Sequence, residues 1–276
     1  MQRLNSTLLV FTLVFCASLS TADEVDGVTN YAYAVFVGTG KYSVSDRDIY
    51  IFRAPLSFDL EEIDLEAGDN TGIRLLAPVA IGLTNFEHLD ELPELDVKDL
   101  QSISFVPGVE VPIALDQHWL LNPFVQAGFG VDTKSDSESF IWGAGIRTSA
   151  RFGDEARWIV GAEFLRAGNN PTSGDDPSTS FSRLGLGTEY KIPTNWLVFD
   201  RYVSWHLRAI HWYFSDPVVF DEPLVRFELN DSTEVGLSLG LSRPINLWGY
   251  DLTQMGVGYE WATDYKAIKF FTTFPF

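Results

Sequence analysis

Ser204, His206 and Asp200 stand at even spacing, so on an extended strand their side chains share a face and set a hydroxyl, an imidazole and a carboxylate in line. That is the residue set of nucleophilic acyl transfer, in which the imidazole takes the hydroxyl proton and the carboxylate orients the ring. Neighbours two apart on one strand stand side by side, whereas triads are gathered from separate segments. The structural reading is therefore preferred, and the chain is not expected to be an enzyme. His88 lies in an acidic stretch, His118 beside a tight turn, and His211 further along the segment that holds His206. H-E-x-x-H, the phosphate-binding G-x-x-x-x-G-K-[ST] and the dinucleotide fingerprint G-x-G-x-x-G do not occur. The stretch "FEHLDELPELDVKD", residues 86–99, carries six carboxylates that could gather a hard cation. It lacks EF-hand spacing, so a solvated acidic loop is expected, with no metal and no cofactor.

A third group is charged and recurrent. Glu follows Gly at a spacing of two in Gly108-Val109-Glu110, Gly161-Ala162-Glu163, Gly187-Thr188-Glu189 and Gly258-Tyr259-Glu260, and Glu234 shares their face by parity. Arg53, Arg74, Arg147, Arg183 and Arg208 fall on the same side of their segments. Opposite charges across a narrow interior neutralise one another, where a lone buried charge is costly. The set reads first as a paired, stiffening interior and second as a filter for charged solutes.

Strands must carry these residues. From Phe140 to Phe152, Phe140, Trp142, Ala144, Ile146, Thr148, Ala150 and Phe152 share one face, while Gly143, Gly145, Arg147, Ser149 and Arg151 share the other. Period two means a strand between two different environments. The division recurs with Val235, Leu237, Leu239 and Leu241 against Glu234, Gly236, Ser238 and Gly240, and with Met255, Val257, Tyr259 and Trp261 against Gln254, Gly256, Gly258 and Glu260. Strand glycines gather on the charged face, so the bulky face is continuous. A ligand-binding soluble barrel turns its bulky residues inward. This pattern is the reverse, and it fits a wall with lipid outside and a polar lumen inside.

The expected fold is all-β: a transmembrane antiparallel up-and-down β-barrel. Candidate strands are 31–39, 48–59, 71–84, 101–114, 118–131, 138–152, 156–168, 179–192, 196–213, 231–243, 249–261 and 266–276, which makes twelve. Fourteen is the alternative if Pro217 to Glu228 adds a strand rather than a loop. Short turns near Asp116, Asp154, Thr194 and Ile245 are each followed by a tryptophan, Trp119, Trp158, Trp196 and Trp248, as at a periplasmic rim. Trp142 and Trp261 would sit in the opposite girdle. Residues 41–47, 85–99, 132–138, 168–177 and about 215–230 are the expected outer loops.

Composition agrees with export to a membrane. The chain has 276 residues, is 46% hydrophobic and carries a net charge of −19, so it is rich enough in apolar residues to fold and has no basic surface for nucleic acid. Arg3, the apolar run Leu8 to Leu19 and the small residues before Asp23 read as a signal peptide over 1–22, cleaved after Ala22, which leaves 23–276 as one barrel domain. Cys16, the only cysteine, falls in the leader, so the mature chain would hold neither disulfide nor thiol chemistry.

Ile268, Phe270, Phe274 and Phe276 alternate toward the C-terminus in "AIKFFTTFPF". A terminal Phe on an alternating strand resembles the assembly signal by which the insertion machinery recognises bacterial outer-membrane proteins, with Pro275 a departure from the usual pattern. With "FVPGVEVPIALDQHWLLNPFVQAGFG", Phe105 to Gly130, the chain resembles a solitary outer-membrane barrel of the autotransporter type. Asp23 to Asn30 leaves no room for a passenger before the first expected strand, so passenger secretion is not implied. The resemblance implies residence in the outer membrane of a Gram-negative bacterium. Membrane lipids, lipopolysaccharide and the insertion machinery are the implied partners, and the oligomeric state is open. The expected role is a narrow passive pore or a structural barrel; the alternative is a lipid-modifying or proteolytic enzyme with a site near the extracellular rim.

Overall fold

The structure is a computed structural model that describes residues 35–36, 38–44, 47–84, 100–132, 137–172, 178–198, 200–222, 225–247, 250–263 and 265–276. The leader expected at 1–22 and the acidic stretch 86–99 lie outside the described residues.

Strands β1 (Thr39–Val44), β2 (Arg47–Ala54), β3 (Ser57–Glu61), β4 (Ile73–Leu76), β5 (Val79–Thr84), β6 (Leu100–Phe105), β7 (Gly108–Glu110) and β8 (Ile113–Ala114) are short. Those that follow are mostly longer: β9 (Trp119–Asp132), β10 (Ser137–Phe152), β11 (Trp158–Pro171), β12 (Thr179–Val198), β13 (Arg201–Glu222), β14 (Val225–Leu247), β15 (Tyr250–Ala262) and β16 (Tyr265–Phe271). Proline divides several of the short ones. Pro55 parts β2 from β3, Pro78 parts β4 from β5, and Pro107 and Pro112 divide β6, β7 and β8. Each lacks the N–H that the ladder needs. Bonds from Ala77 N–H to Leu56 O (2.8 Å) and from Ala127 N–H to Pro107 O (2.9 Å) carry the wall across the breaks. The sixteen segments thus make twelve wall strands, every pairing antiparallel.

Closure comes where β1 meets β16, from Thr39 opposite Phe270 to Val44 opposite Tyr265. No edge is left along that seam. Among the described residues the first strand begins at Thr39, since Val35, Phe36 and Gly38 of the expected strand 31–39 are not strand, and most of the loop expected at 41–47 is the β1/β2 hairpin itself. The loop expected at 215–230 is also strand: β13 and β14 run on past a bulge between Tyr213 and Val218 and pair from Val218–Leu229 to Glu222–Val225. This lengthens two wall strands and adds none, which removes the count of fourteen. Leu197 belongs to β12 and Leu207 to β13, on either side of the turn at Asp200, so no single parity runs between them through Arg201.

The long turn 62–72 is ordered by its own polar groups. Asp64 Oδ1 accepts the N–H of Glu66 (3.1 Å) and of Ala67 (3.0 Å), while Asp64 and Asp69 exchange backbone bonds. Gly68, at φ +80°, supplies the left-handed step.

The distribution of side chains is inverted. Glu110, Glu163, Arg183, Glu189, Arg208, Glu234, Glu260 and Lys269 are buried, whereas Phe129, Phe164, Leu186, Leu237, Met255 and Phe270 are exposed. Polar burial beside a continuous apolar exterior is the informative departure from a soluble fold.

Candidate functional site: the barrel lumen

Alternation delivers the charges to the interior, and strand stagger sets which of them meet. One belt crosses the wall from β3 to β12. Arg74 Nε donates to Asp59 Oδ1 (2.6 Å) and its Nη1 to Glu110 Oε1 (2.9 Å). Arg147 Nη1 reaches Glu110 Oε2 (2.8 Å) and its Nε reaches Glu163 Oε2 (2.9 Å), while Arg183 Nη2 donates to Glu163 Oε1 (2.5 Å). Aromatic faces back the cations: Arg147 lies 4.1 Å from the Phe124 ring centre and Arg183 4.1 Å from that of Trp212. A second belt closes the other side. Arg208 Nη2 donates to Glu234, Lys269 Nζ lies 2.9 Å from Glu234 and 3.0 Å from Glu260, and Ser232 Oγ donates to Glu260.

A third cluster joins Glu189, His206 and Ser204. His206 Nδ1 is 2.7 Å from Glu189 Oε1, and its Nε2 is 2.9 Å from Ser204 Oγ. Gln254 Nε2 donates to Glu189 Oε2 at 3.3 Å. The acid in line with Ser204 and His206 is thus Glu189 from the neighbouring strand. Asp200 stands exposed in the β12/β13 turn at φ +59°. Gly236-Leu237-Ser238-Leu239-Gly240 matches G-x-S-x-G. It lies inside β14 and not at the strand-to-helix elbow that exposes a nucleophile, and Ser238 is buried against Gln254.

Two stretches of chain enter the lumen. Phe36 approaches Gly143, where a Cβ would collide with its ring, and Arg183 Nη1 donates to Phe36 O (3.2 Å). At the other terminus the strand stops at Phe271. Phe276 then turns inward over Gly161, Gly185 and Gly187, with its ring 5.5 Å from that of Trp212. Beside them lies a cavity of about 510 Å³, lined by the cations Arg53, Arg74, Arg147, Arg183, Arg208 and Lys269 and by the carboxylates Glu110, Glu163 and Glu234, among others.

Every charge singled out in the sequence faces this interior: Arg53, Arg74, Glu110, Arg147, Glu163, Arg183, Glu189, Arg208, Glu234 and Glu260. Lys269 and Asp59 were missed. Lys269 was legible by parity, since it alternates with the outward Ile268 and Phe270. Of the residues of the expected assembly signal, Ile268 and Phe270 point outward, while Phe274 and Phe276 leave the strand. Trp119, Trp158, Trp196 and Trp261 are exposed on the wall, and Trp142 is half-buried with its Nε1 donating to Asn170 (3.0 Å). Trp248 lies outside the described residues. His118 sits in the turn held by Asp116, and His211 Nδ1 is 3.1 Å from Thr233 Oγ1. Among the described residues no His, Cys, Asp and Glu group could hold a metal.

No family model and no curated protein matches the chain. Among solved structures it is similar to the β-domain of the Bordetella autotransporter BrkA, at 9% identity and a TM-score of 0.46, over 86% of this chain and 96% of that one.

Proposed function

We propose that the chain is an integral β-barrel of a Gram-negative outer membrane, exported by a cleaved leader, with a constricted, charge-lined lumen that gives structural strength and at most narrow passive passage. The observation that carries this reading is a sealed cylinder with apolar residues outside and buried ion pairs inside. In hydrocarbon every backbone polar group needs an internal partner, which only a helix or a closed barrel provides. Trp119, Trp158 and Trp196 lie by the compact turns at one end, which fits the periplasmic interface, with lipids and lipopolysaccharide bathing the wall. Outward Ile268 and Phe270 on the closing strand suit recognition by the insertion machinery. Phe36, Phe276 and the two belts occupy a bore that twelve strands would otherwise leave part open. Flotation with liposomes followed by planar-bilayer recording tests the proposal: co-flotation with no wide, porin-like conductance is expected, and protein left in the aqueous fraction would reject it.

The Ser204–His206–Glu189 line favours a second reading, a hydrolase. Ser204 is 5% exposed, and it pairs with Pro193 and Gly240 inside the sheet, where backbone N–H groups serve the ladder and not an oxyanion. A serine-reactive fluorophosphonate probe separates the two: an unlabelled barrel supports the structural reading, and labelling lost in Ser204→Ala establishes the hydrolase.

A further inference from the structure

The two belts balance, five cations against five carboxylates; outside them stand Glu189, held by His206 and Gln254, and one further cation. Arg74, Arg147, Arg183, Arg208 and Lys269 pair with Asp59, Glu110, Glu163, Glu234 and Glu260. Arg53 is left over. It lines the cavity, its Nε is buried without a hydrogen-bond partner, and no ion pair to it is found among the described residues. Its electrostatic neighbours are Arg147, Glu163, Arg183 and Tyr42. Glu163 is already divided between Arg147 and Arg183. Arg183 itself, 7% exposed, turns a second unpartnered Nε toward its surroundings.

We propose that the cavity between Arg53 and Arg183 is a binding site for a small oxyanion, a carboxylate or phosphate group. A guanidinium turned into a cavity with no acid of its own among the described residues is costly, and the unpartnered Nε of Arg183, lining the same cavity, adds a further free N–H. Planar N–H edges match the oxygens of a carboxylate or phosphate. The position is fixed from behind: Arg53 N–H donates to Thr39 Oγ1 (2.8 Å), which donates back to Arg53 O (2.9 Å), locking β2 to the first strand at that point. The site would also give this lumen a preference for anions within a chain whose net charge is −19. The proposal rests on the inward face being a watered lumen, and not on the lumen conducting.

Calorimetric titration of the refolded full chain in detergent, with inorganic phosphate and separately with acetate at constant ionic strength, tests it. Saturable binding of at least one ion is expected, weakened at least tenfold in Arg53→Gln and by a smaller factor in Arg53→Lys, which keeps the charge and loses the planar edge. Binding of phosphate alone would assign the site to phosphoryl groups, and of acetate alone to carboxylates. A second measurement needs no variant: phenylglyoxal modification of Arg53, read by peptide mass, should slow when the bound ion is present. No saturable binding of either ion, or binding unchanged in Arg53→Gln, overturns the proposal. A barrel that co-floats with liposomes yet binds neither ion leaves the membrane reading intact and removes only this site.

Discussion

Lys269 Nζ lies 2.9 Å from Glu234 Oε2, tying the closing strand β16 to β14, two strands away. The same ammonium is 3.0 Å from Glu260 on the strand between. One cation therefore holds two buried carboxylates next to the seam. Replacing Lys269 with Ala leaves both facing each other, a loss on the order of 3–5 kcal/mol for a broken buried pair. Urea unfolding in lipid vesicles should show that loss for Lys269→Ala and a much smaller one for Lys269→Arg.

Leu237 and Ser238 are adjacent on β14, one exposed on the wall and the other buried in the lumen. If the wall meets hydrocarbon, Leu237→Arg costs about 2–4 kcal/mol near the midplane, well above Leu237→Ala. Unfolding in bilayers of matched thickness reads the difference.

Gly128 faces the backbone of Phe105 and Val106 so closely that a Cβ would overlap Phe105 O. Backbone cannot swing aside as a side chain can. Gly128→Ala should destabilise by on the order of 1–3 kcal/mol, whereas Ala at the exposed turn glycine Gly153 should cost only the strain of its φ of +78°. Thermal scans of both variants in micelles check the ranking.

Phe276 covers Gly161, Gly185 and Gly187 and touches Trp212. Phe276→Ala, combined with Phe36→Ala, should raise ion conductance above that of the parent chain. Equal conductance in bilayer recordings would place the constriction in the ion-pair belts alone.

Much of the architecture was legible because period-two alternation is enforced by two immiscible surroundings. That alternation assigned Arg147, Glu163 and Glu234 to the interior without any knowledge of their partners. Partners were not legible, since strand stagger sets whether Glu189 meets His206, and parity says nothing of height along the axis. The run Tyr31 to Gly38 read as a strand because its residues are apolar. Of that run only Val35, Phe36 and Gly38 are described, and Phe36 packs over Gly143 as a buried apolar side chain. Pro275 was the signal that alternation ends before Phe276, because a residue without an N–H cannot extend the closing ladder. The β13/β14 extension was hidden by its bulge, which shifts the alternation partway along.

A spin-label scan of single cysteines from Glu234 to Leu241, in a Cys16→Ser background, measures the central claim directly in reconstituted bilayers. Collision with lipid-soluble oxygen should peak at Val235, Leu237, Leu239 and Leu241 and fall at the residues between, a period of two along β14. Equal accessibility at every position, or oxygen collision highest at Glu234, Gly236, Ser238 and Gly240, would contradict a wall with hydrocarbon outside and a charged lumen within.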